Sequence, residues 1–127
     1  MKEKINVGIV GGGIGGIATA VALQQAGIDA VVYERASEHR EFGAGMMLWP
    51  NATRVLRGFG LLEDILARSG SSTHFLVRAS SGTVLMDIAL GEFDVPAICI
   101  RRSDLLNILL STVRPNCVQL GHKLSKL

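Results

Sequence analysis

A cluster of glycines near the start of the chain constrains its fold more than any other feature. The stretch GIVGGGIGGIATA, residues 8–20, places six glycines within nine positions, inside an otherwise apolar run from Ile5 to Leu23. Glycine weakens helices and strands because it loses more conformational freedom on folding than any other residue. A chain that concentrates glycine in an apolar segment therefore needs the backbone there to turn sharply or to approach another group closely.

The residues around the glycines predict a β-α-β unit. Residues 5–10 have the β-branched composition of a short buried strand, and residues 29–33 form a second one. Residues 14–26 favour a helix that ends at Gly27, in the C′ position where glycine is preferred. Because the crossover has helical length, we expect the two strands to be parallel and the connection to be right-handed.

The rest of the chain predicts further strands and helices, with a hairpin between them. In order, these are a loop over 38–45, helices over 50–57 and 61–68, hairpin strands over 73–79 and 83–89, a strand over 97–101, a helix capped by Ser103 that runs to about Val113, and a strand over 117–120. These elements supply about three sheet strands and a hairpin, whereas a doubly wound sheet has five or six strands. We therefore expect an α/β fold that is incomplete at the C-terminus.

The glycine spacing Gly11-x-Gly13-x-x-Gly16 follows a strand and precedes a helix, which is the context of a dinucleotide-binding fingerprint. Gly11 permits the tight turn, Gly13 leaves room for a pyrophosphate, and Gly16 lets the helix pack close to the strand. The backbone N–H groups of Ile14 and Gly15, at the positive end of the helix dipole, then face the phosphates.

An acidic residue completes this fingerprint. Glu34 lies 18 residues after Gly16, at the end of the second strand, where a carboxylate accepts hydrogen bonds from ribose hydroxyls. The negative charge repels a 2′-phosphate and argues against NADP, although the neighbouring Arg35 weakens that argument. The fingerprint by itself leaves FAD and NAD open.

Charge and cysteine usage exclude several other classes of protein. The formal net charge is +2 and the basic residues are scattered, so nucleic acid is not expected as a partner. No stretch is apolar and long enough to predict a membrane span. Cys99 and Cys117 have no metal-ligand spacing, and we expect a reduced, buried pair in a cytoplasmic protein, with no metal.

Three segments resemble the FAD-dependent aromatic monooxygenases, the single-component flavoprotein hydroxylases of the p-hydroxybenzoate, salicylate and urate hydroxylase type. They are GAGMMLWPNA (43–52), LRGFGLLEDI (56–65) and ICIRRSDLLNIL (98–109). The resemblance implies a Rossmann-like FAD-binding domain of the glutathione-reductase type with an inserted β-hairpin. It also implies FAD as cofactor, NADH or NADPH as transient reductant, and hydroxylation of a small aromatic substrate with O₂.

The same resemblance implies a role for individual residues. The residues that would line the FAD pyrophosphate are Gly11, Gly13, Ile14, Gly15 and Gly16, and those at the adenosine ribose would be Glu34 and Arg35. The residues beside the isoalloxazine and ribityl chain would be Gly43, Ala44 and Gly45. Arg102 would contact the pyrophosphate or ribityl oxygens. Arg101 competes with Arg102 for the last role, and Trp49 either faces the flavin region or packs in the core. No catalytic residue is assigned, because the flavin carries the difficult chemistry.

The family has later Asp-Gly and Gly-Asp motifs, which fall beyond residue 127. We therefore expect residues 1–127 to be the N-terminal part of an FAD-binding domain, without the substrate domain and not catalytically competent alone. Two alternatives remain at this point. One is a fragment of an NAD-dependent dehydrogenase with the same opening unit, and the other is a truncated product with no catalytic role. The sequence does not indicate an oligomeric state.

Overall fold

The computed structural model describes residues 6–39 and 43–126, and these form two compact units. The first unit contains the described residues before residue 40 and those from Ser103 onward, and the second is Gly43–Arg102. In chain order the elements are β1 (Asn6–Val10), α1 (Ile14–Gln25), β2 (Asp29–Tyr33), β3 (Gly45–Leu48), α2 (Pro50–Gly58), α3 (Leu62–Leu66), β4 (Ser69–Ser72), β5 (His74–Arg78), β6 (Val84–Ala89), β7 (Ala97–Arg101), α4 (Arg102–Leu110) and β8 (Val118–Gln119). The expected mixed α/β class is confirmed.

The first unit contains a parallel sheet with the strand order β1-β2-β8. Helix α1 connects β1 to β2, and its residues Ile17 and Val21 are fully buried, as is Val32 in β2. The helix ends in a left-handed turn at Gly27, whose φ is +75°, and the N–H of Ile28 bonds back to the carbonyl of Leu23.

Helix α1 approaches the turn after β1 so closely that only glycine fits at one position. Gly11 has a φ of +103° and donates its N–H to the carbonyl oxygen of Tyr33 at 2.8 Å, which fixes the turn against the end of β2. A Cβ atom at Gly16 would overlap the carbonyl oxygen of Gly11, whereas a Cβ at Gly15 would meet nothing within 4 Å. Two adjacent glycines of one helix therefore have different steric requirements.

The second unit contains an antiparallel sheet with the strand order β3-β7-β4 and a separate two-stranded sheet of β5 and β6. Ile98 and Ile100 of β7 are buried, while Cys99 between them is exposed. The buried hydroxyl of Thr53 in α2 donates to the carbonyl oxygen of Pro96 at 2.8 Å and so holds the helix against the segment before β7.

The structure corrects several of the predicted elements in the second unit. The loop predicted over 38–45 ends earlier, because Gly45 pairs with Arg101 as the first residue of β3; residues 40–42 of that loop lie outside the described residues. Strand β4, with the sequence SGSS, was not predicted, since it has no apolar pattern and forms only by pairing with β7.

Two further predictions were wrong. Ser103 does not cap α4, because the helix already begins at Arg102, and it ends at Leu110 rather than near Val113. The cysteines are not a buried pair, since Cys99 is exposed and Cys117 is half-buried. Side chains alternate between the two faces of a strand, so the burial of Ile98 and Ile100 turns Cys99 to the opposite face of β7.

A pair of glycine substitutions tests the close approach of α1. Gly16→Ala is expected to lower the free energy of unfolding by about 1–3 kcal/mol, because the new methyl group must displace backbone atoms. Gly15→Ala is the matched control, and it should raise that free energy by up to about 1 kcal/mol through helix propensity. Urea unfolding of the two variants measures both effects, and equal stabilities would contradict the packing described here.

Candidate functional site

The turn between β1 and α1 brings five of the predicted site residues together. Gly11 forms the turn, Gly13 precedes the helix in an extended conformation, and Ile14 is the first helical residue, followed by Gly15 and Gly16. Every residue of α1 is described, and the helix has no side-chain hydrogen bond at its N-cap and no acidic residue in its first turn. The first N–H groups of a helix have no intrahelical partner, so this end can receive an anion.

Glu34 lies directly after β2, and its main chain and side chain are both fixed. Its N–H donates to the carbonyl oxygen of Gln119 at 2.9 Å, and its own carbonyl oxygen accepts from the N–H of His122 at 2.8 Å. Its carboxylate accepts two further N–H groups, from Gly12 at 2.6 Å and from Ala36 at 2.8 Å. The carboxylate therefore connects the glycine turn to the segment that follows β2.

These backbone donors stabilise the ionised form of the carboxyl group. The N–H of Ala36 has the largest effect and that of Gly12 the next largest, and together they hold the pKa of Glu34 below its ordinary value of 4.5. The nearby positive charges of Arg35 and His39 act in the same direction, while partial burial opposes them. At neutral pH the site therefore presents a negative, hydrogen-bond-accepting group beside the glycine turn.

Gly12 belongs to this site, although the sequence analysis did not single it out. It is the variable position between Gly11 and Gly13 in the fingerprint, so the motif places no requirement on it. A Cβ atom at Gly12 would lie 2.9 Å from the Cβ of Glu34. The three consecutive glycines were the available signal, but only the fold shows which side chain Gly12 meets.

In the second unit, the loop before β3 and the start of α4 lie side by side. The N–H of Arg102 bonds to the carbonyl oxygen of Ala44 at 3.4 Å, and a Cβ atom at Gly43 would lie 2.8 Å from the Cβ of Arg102. Gly45 pairs with Arg101 across β3 and β7. Arg102 is half-buried and Arg101 is exposed, so the two arginines that the sequence left as competitors have different environments.

Trp49 packs against an aromatic neighbour and also borders a cavity. Its ring centroid lies 5.2 Å from that of Phe75, with the two planes tilted by 53°, and the side chain is half-buried. The cavity, of about 370 Å³, is lined by Trp49, Pro50, Asn51, Arg54 and Phe93. Trp49 therefore has packing contacts within the second unit and an open side.

Two kinds of feature are absent from the part of the chain that the structure describes. No group of three or more His, Cys, Asp and Glu side chains within 6–39 and 43–126 could hold a metal ion. None of the helices in the same ranges is both long enough and apolar enough to cross a bilayer.

Comparison with known proteins identifies the kind of domain that carries these features. Residues 4–123 match the family model described as "FAD binding domain". The chain is 31% identical to the FAD-dependent monooxygenase OpS4 of Beauveria bassiana, over 90% of this chain and 28% of that protein. It is 33% identical to a 3-amino-4-hydroxybenzoate 2-monooxygenase of Streptomyces cremeus, over 100% of this chain and 34% of that protein.

A solved structure agrees with these relatives. HpxO of Klebsiella pneumoniae, complexed with FAD and uric acid, superimposes with a TM-score of 0.74 and 28% sequence identity, over 95% of this chain and 32% of that one. The chain thus spans about a third of the length of the curated relatives it matches.

The pH dependence of stability tests the environment of Glu34. Because the folded-state pKa lies below the ordinary value of 4.5, the ionised carboxylate stabilises the fold. That stabilisation is fully present above pH 4.5 and is lost as the pH falls through the folded-state pKa. At pH 7, Glu34→Gln should therefore have a lower melting temperature than the unsubstituted chain. The difference in melting temperature should become smaller as the pH is lowered. A gap in melting temperature that stays constant down to pH 2 would contradict this account.

Proposed function

The chain belongs to the family of FAD-binding domains, and from that membership we propose that it forms part of the FAD site of a flavin-dependent monooxygenase. The observation that carries the proposal is the Glu34 carboxylate, held beside the glycine turn by the N–H groups of Gly12 and Ala36. Such a monooxygenase uses NADH or NADPH and O₂ to hydroxylate a small aromatic molecule. The bound flavin would supply the redox chemistry, and protein residues supply position and electrostatics.

The residues of the first unit fit the adenosine diphosphate half of FAD. The uncapped start of α1 offers the N–H groups of Ile14 and Gly15 to the pyrophosphate, and the open space beside Gly15 leaves room for it. Glu34 would accept hydrogen bonds from the ribose hydroxyls, with Arg35 nearby. These features support a Rossmann-like unit of the glutathione-reductase type.

The residues of the second unit are proposed to serve the other half of the cofactor. The small residues Gly43, Ala44 and Gly45 allow backbone to run close to the isoalloxazine and ribityl chain. Arg102, half-buried beside Ala44, would pair with pyrophosphate or ribityl oxygens. Arg102 is half-buried whereas Arg101 is exposed, and this difference favours Arg102.

We also propose that residues 1–127 correspond to the N-terminal part of the FAD-binding domain, with the substrate-choosing residues outside this stretch. The share of the relatives' length that the chain covers, 28% and 34%, supports this division. A small aromatic substrate is proposed because one relative is named for an aminohydroxybenzoate. A cytoplasmic location stays a prediction.

The single tryptophan gives a direct test of the cofactor. Titration with FAD should quench the fluorescence of Trp49 saturably, at concentrations where NADH has little effect, because the family membership favours a flavin over a nicotinamide. Free N-acetyltryptophanamide, titrated in parallel, corrects for light absorbed by the flavin. Stronger quenching by NADH than by FAD would favour the NAD-dependent dehydrogenase instead, and no response to either would contradict a cofactor site in this chain.

The two adjacent arginines provide a second test with a built-in control. Arg102→Ala should weaken FAD binding about tenfold or more, since a charge-assisted hydrogen bond contributes roughly 1.5–3 kcal/mol. Arg101→Ala should leave the affinity within about twofold, because that side chain is exposed and loses no cofactor contact. Comparable losses of FAD affinity in both variants would contradict the assignment to Arg102. A larger loss in Arg101→Ala would assign the role to Arg101 instead.

A further inference from the structure

At Gly12, the atoms that leave no room for a side chain belong to another side chain. Gly11 requires glycine for its positive φ, and Gly16 requires it because the backbone of Gly11 is too close. Gly12 is not among the residues with positive φ, so its conformation alone would accept any residue. The atoms that a Cβ at Gly12 would meet are the Cβ, Cγ and Oε2 of Glu34, at 2.9, 3.2 and 3.3 Å.

Glu34 cannot move away from such a side chain without losing contacts. Its main chain is hydrogen-bonded on both sides, to Gln119 and His122, at 2.9 and 2.8 Å. One carboxylate oxygen accepts the N–H of Ala36 at 2.8 Å, and the other accepts the N–H of Gly12 itself at 2.6 Å. A methyl group at Gly12 would therefore either shift the glycine turn or displace the carboxylate from the N–H groups that hold it.

The hydrogen bonds that the carboxylate already accepts also determine how many further donors it can bind. An ionised carboxylate has about four lone-pair sites, two on each oxygen. The N–H groups of Gly12 and Ala36 occupy one site on each oxygen, which leaves one site on each. Two remaining acceptor sites match the two hydroxyl groups of a ribose, provided that the carboxylate stays in this orientation.

We propose that Gly12 is a positioning residue for nucleotide recognition. By lacking a side chain and donating its N–H, it holds Glu34 in the orientation that reads the ribose diol. This inference rests on the proposed function, because it assumes that the site takes a nucleotide. It adds that the specificity for the ribose hydroxyls depends on a residue that the fingerprint leaves variable.

The experiment compares two nucleotides that differ only in the ribose. Calorimetric titration of the 127-residue chain with ADP and with 2′,3′-dideoxy-ADP gives a preference ratio, which we expect to be about tenfold or more for the unsubstituted chain. Gly12→Ala should reduce that ratio to within about twofold, mainly by weakening ADP. Glu34→Gln should reduce the ratio to a similar extent. The double variant Gly12→Ala/Glu34→Gln should lose little more ADP affinity than Glu34→Gln alone.

The matched control is Gly15→Ala, which places the same methyl group three residues further along. A side chain there meets no protein atom within 4 Å. In the proposed site it would lie beside the pyrophosphate, which both nucleotides share, so any change in affinity should affect both equally. A general disturbance of the turn would behave in the same way. Only a role that acts through Glu34 changes the ratio.

A second measurement needs no ligand and does not depend on the folding of Gly12→Ala. In the nucleotide-free chain, the amide proton resonance of Gly12 should shift as Glu34 is protonated, and this shift should be absent in Glu34→Gln. The pKa of Glu34 lies below its ordinary value of 4.5, so the resonance is followed at acidic pH. Arg35 and His39 are the charged groups near the carboxylate. An amide proton shift of Gly12 that does not change when Glu34 is protonated would overturn the proposal.

The outcomes separate the two levels of inference. Failure of the unsubstituted chain to bind ADP would contradict the proposed function, and this inference with it. Binding of ADP with an undiminished ratio in Gly12→Ala would overturn the role of Gly12 alone and leave the FAD site standing.

Discussion

The candidate site in the first unit is organised around the hydrogen bond between the N–H of Gly12 and the carboxylate of Glu34. It joins the turn after β1 to the segment after β2, at the edge of the parallel sheet where both strands end. The second donor, Ala36, adds a contact within the segment itself. The geometry of the candidate site thus follows from a contact across 22 residues of sequence as well as from the glycine turn.

Where local chemistry decides the structure, the sequence was sufficient to predict it. Residues 29–33 form β2 with the predicted limits, because a short β-branched run bounded by polar residues has few alternatives. Helix α1 begins at Ile14 and its end is set by Gly27, whose positive φ stops the helix as expected. The fingerprint residues Gly11 and Gly16 also have the geometry that their spacing indicates.

Where distant residues decide the structure, the sequence was not sufficient. Strand β4 is extended because Ser69–Ser72 pairs with β7, and nothing in the sequence SGSS indicates this partner. The exposure of Cys99 depends on which face of β7 is covered, which a short apolar run does not reveal. In the candidate site, the conflict that a side chain at Gly12 would have with Glu34 can be seen only once it is known how the two strand ends meet.

In the proposed site, the uncapped start of α1 would link cofactor supply to the survival of the folded chain. This helix has no side-chain cap and no acid in its first turn, so in the proposed site its N-terminal partner would be the pyrophosphate of the ligand. A ligand that binds only the folded state at a hundred times its Kd adds about 2.7 kcal/mol of stability. Flavin availability in the cell would then decide how much newly made chain escapes proteolysis, so that abundance of the protein follows its cofactor.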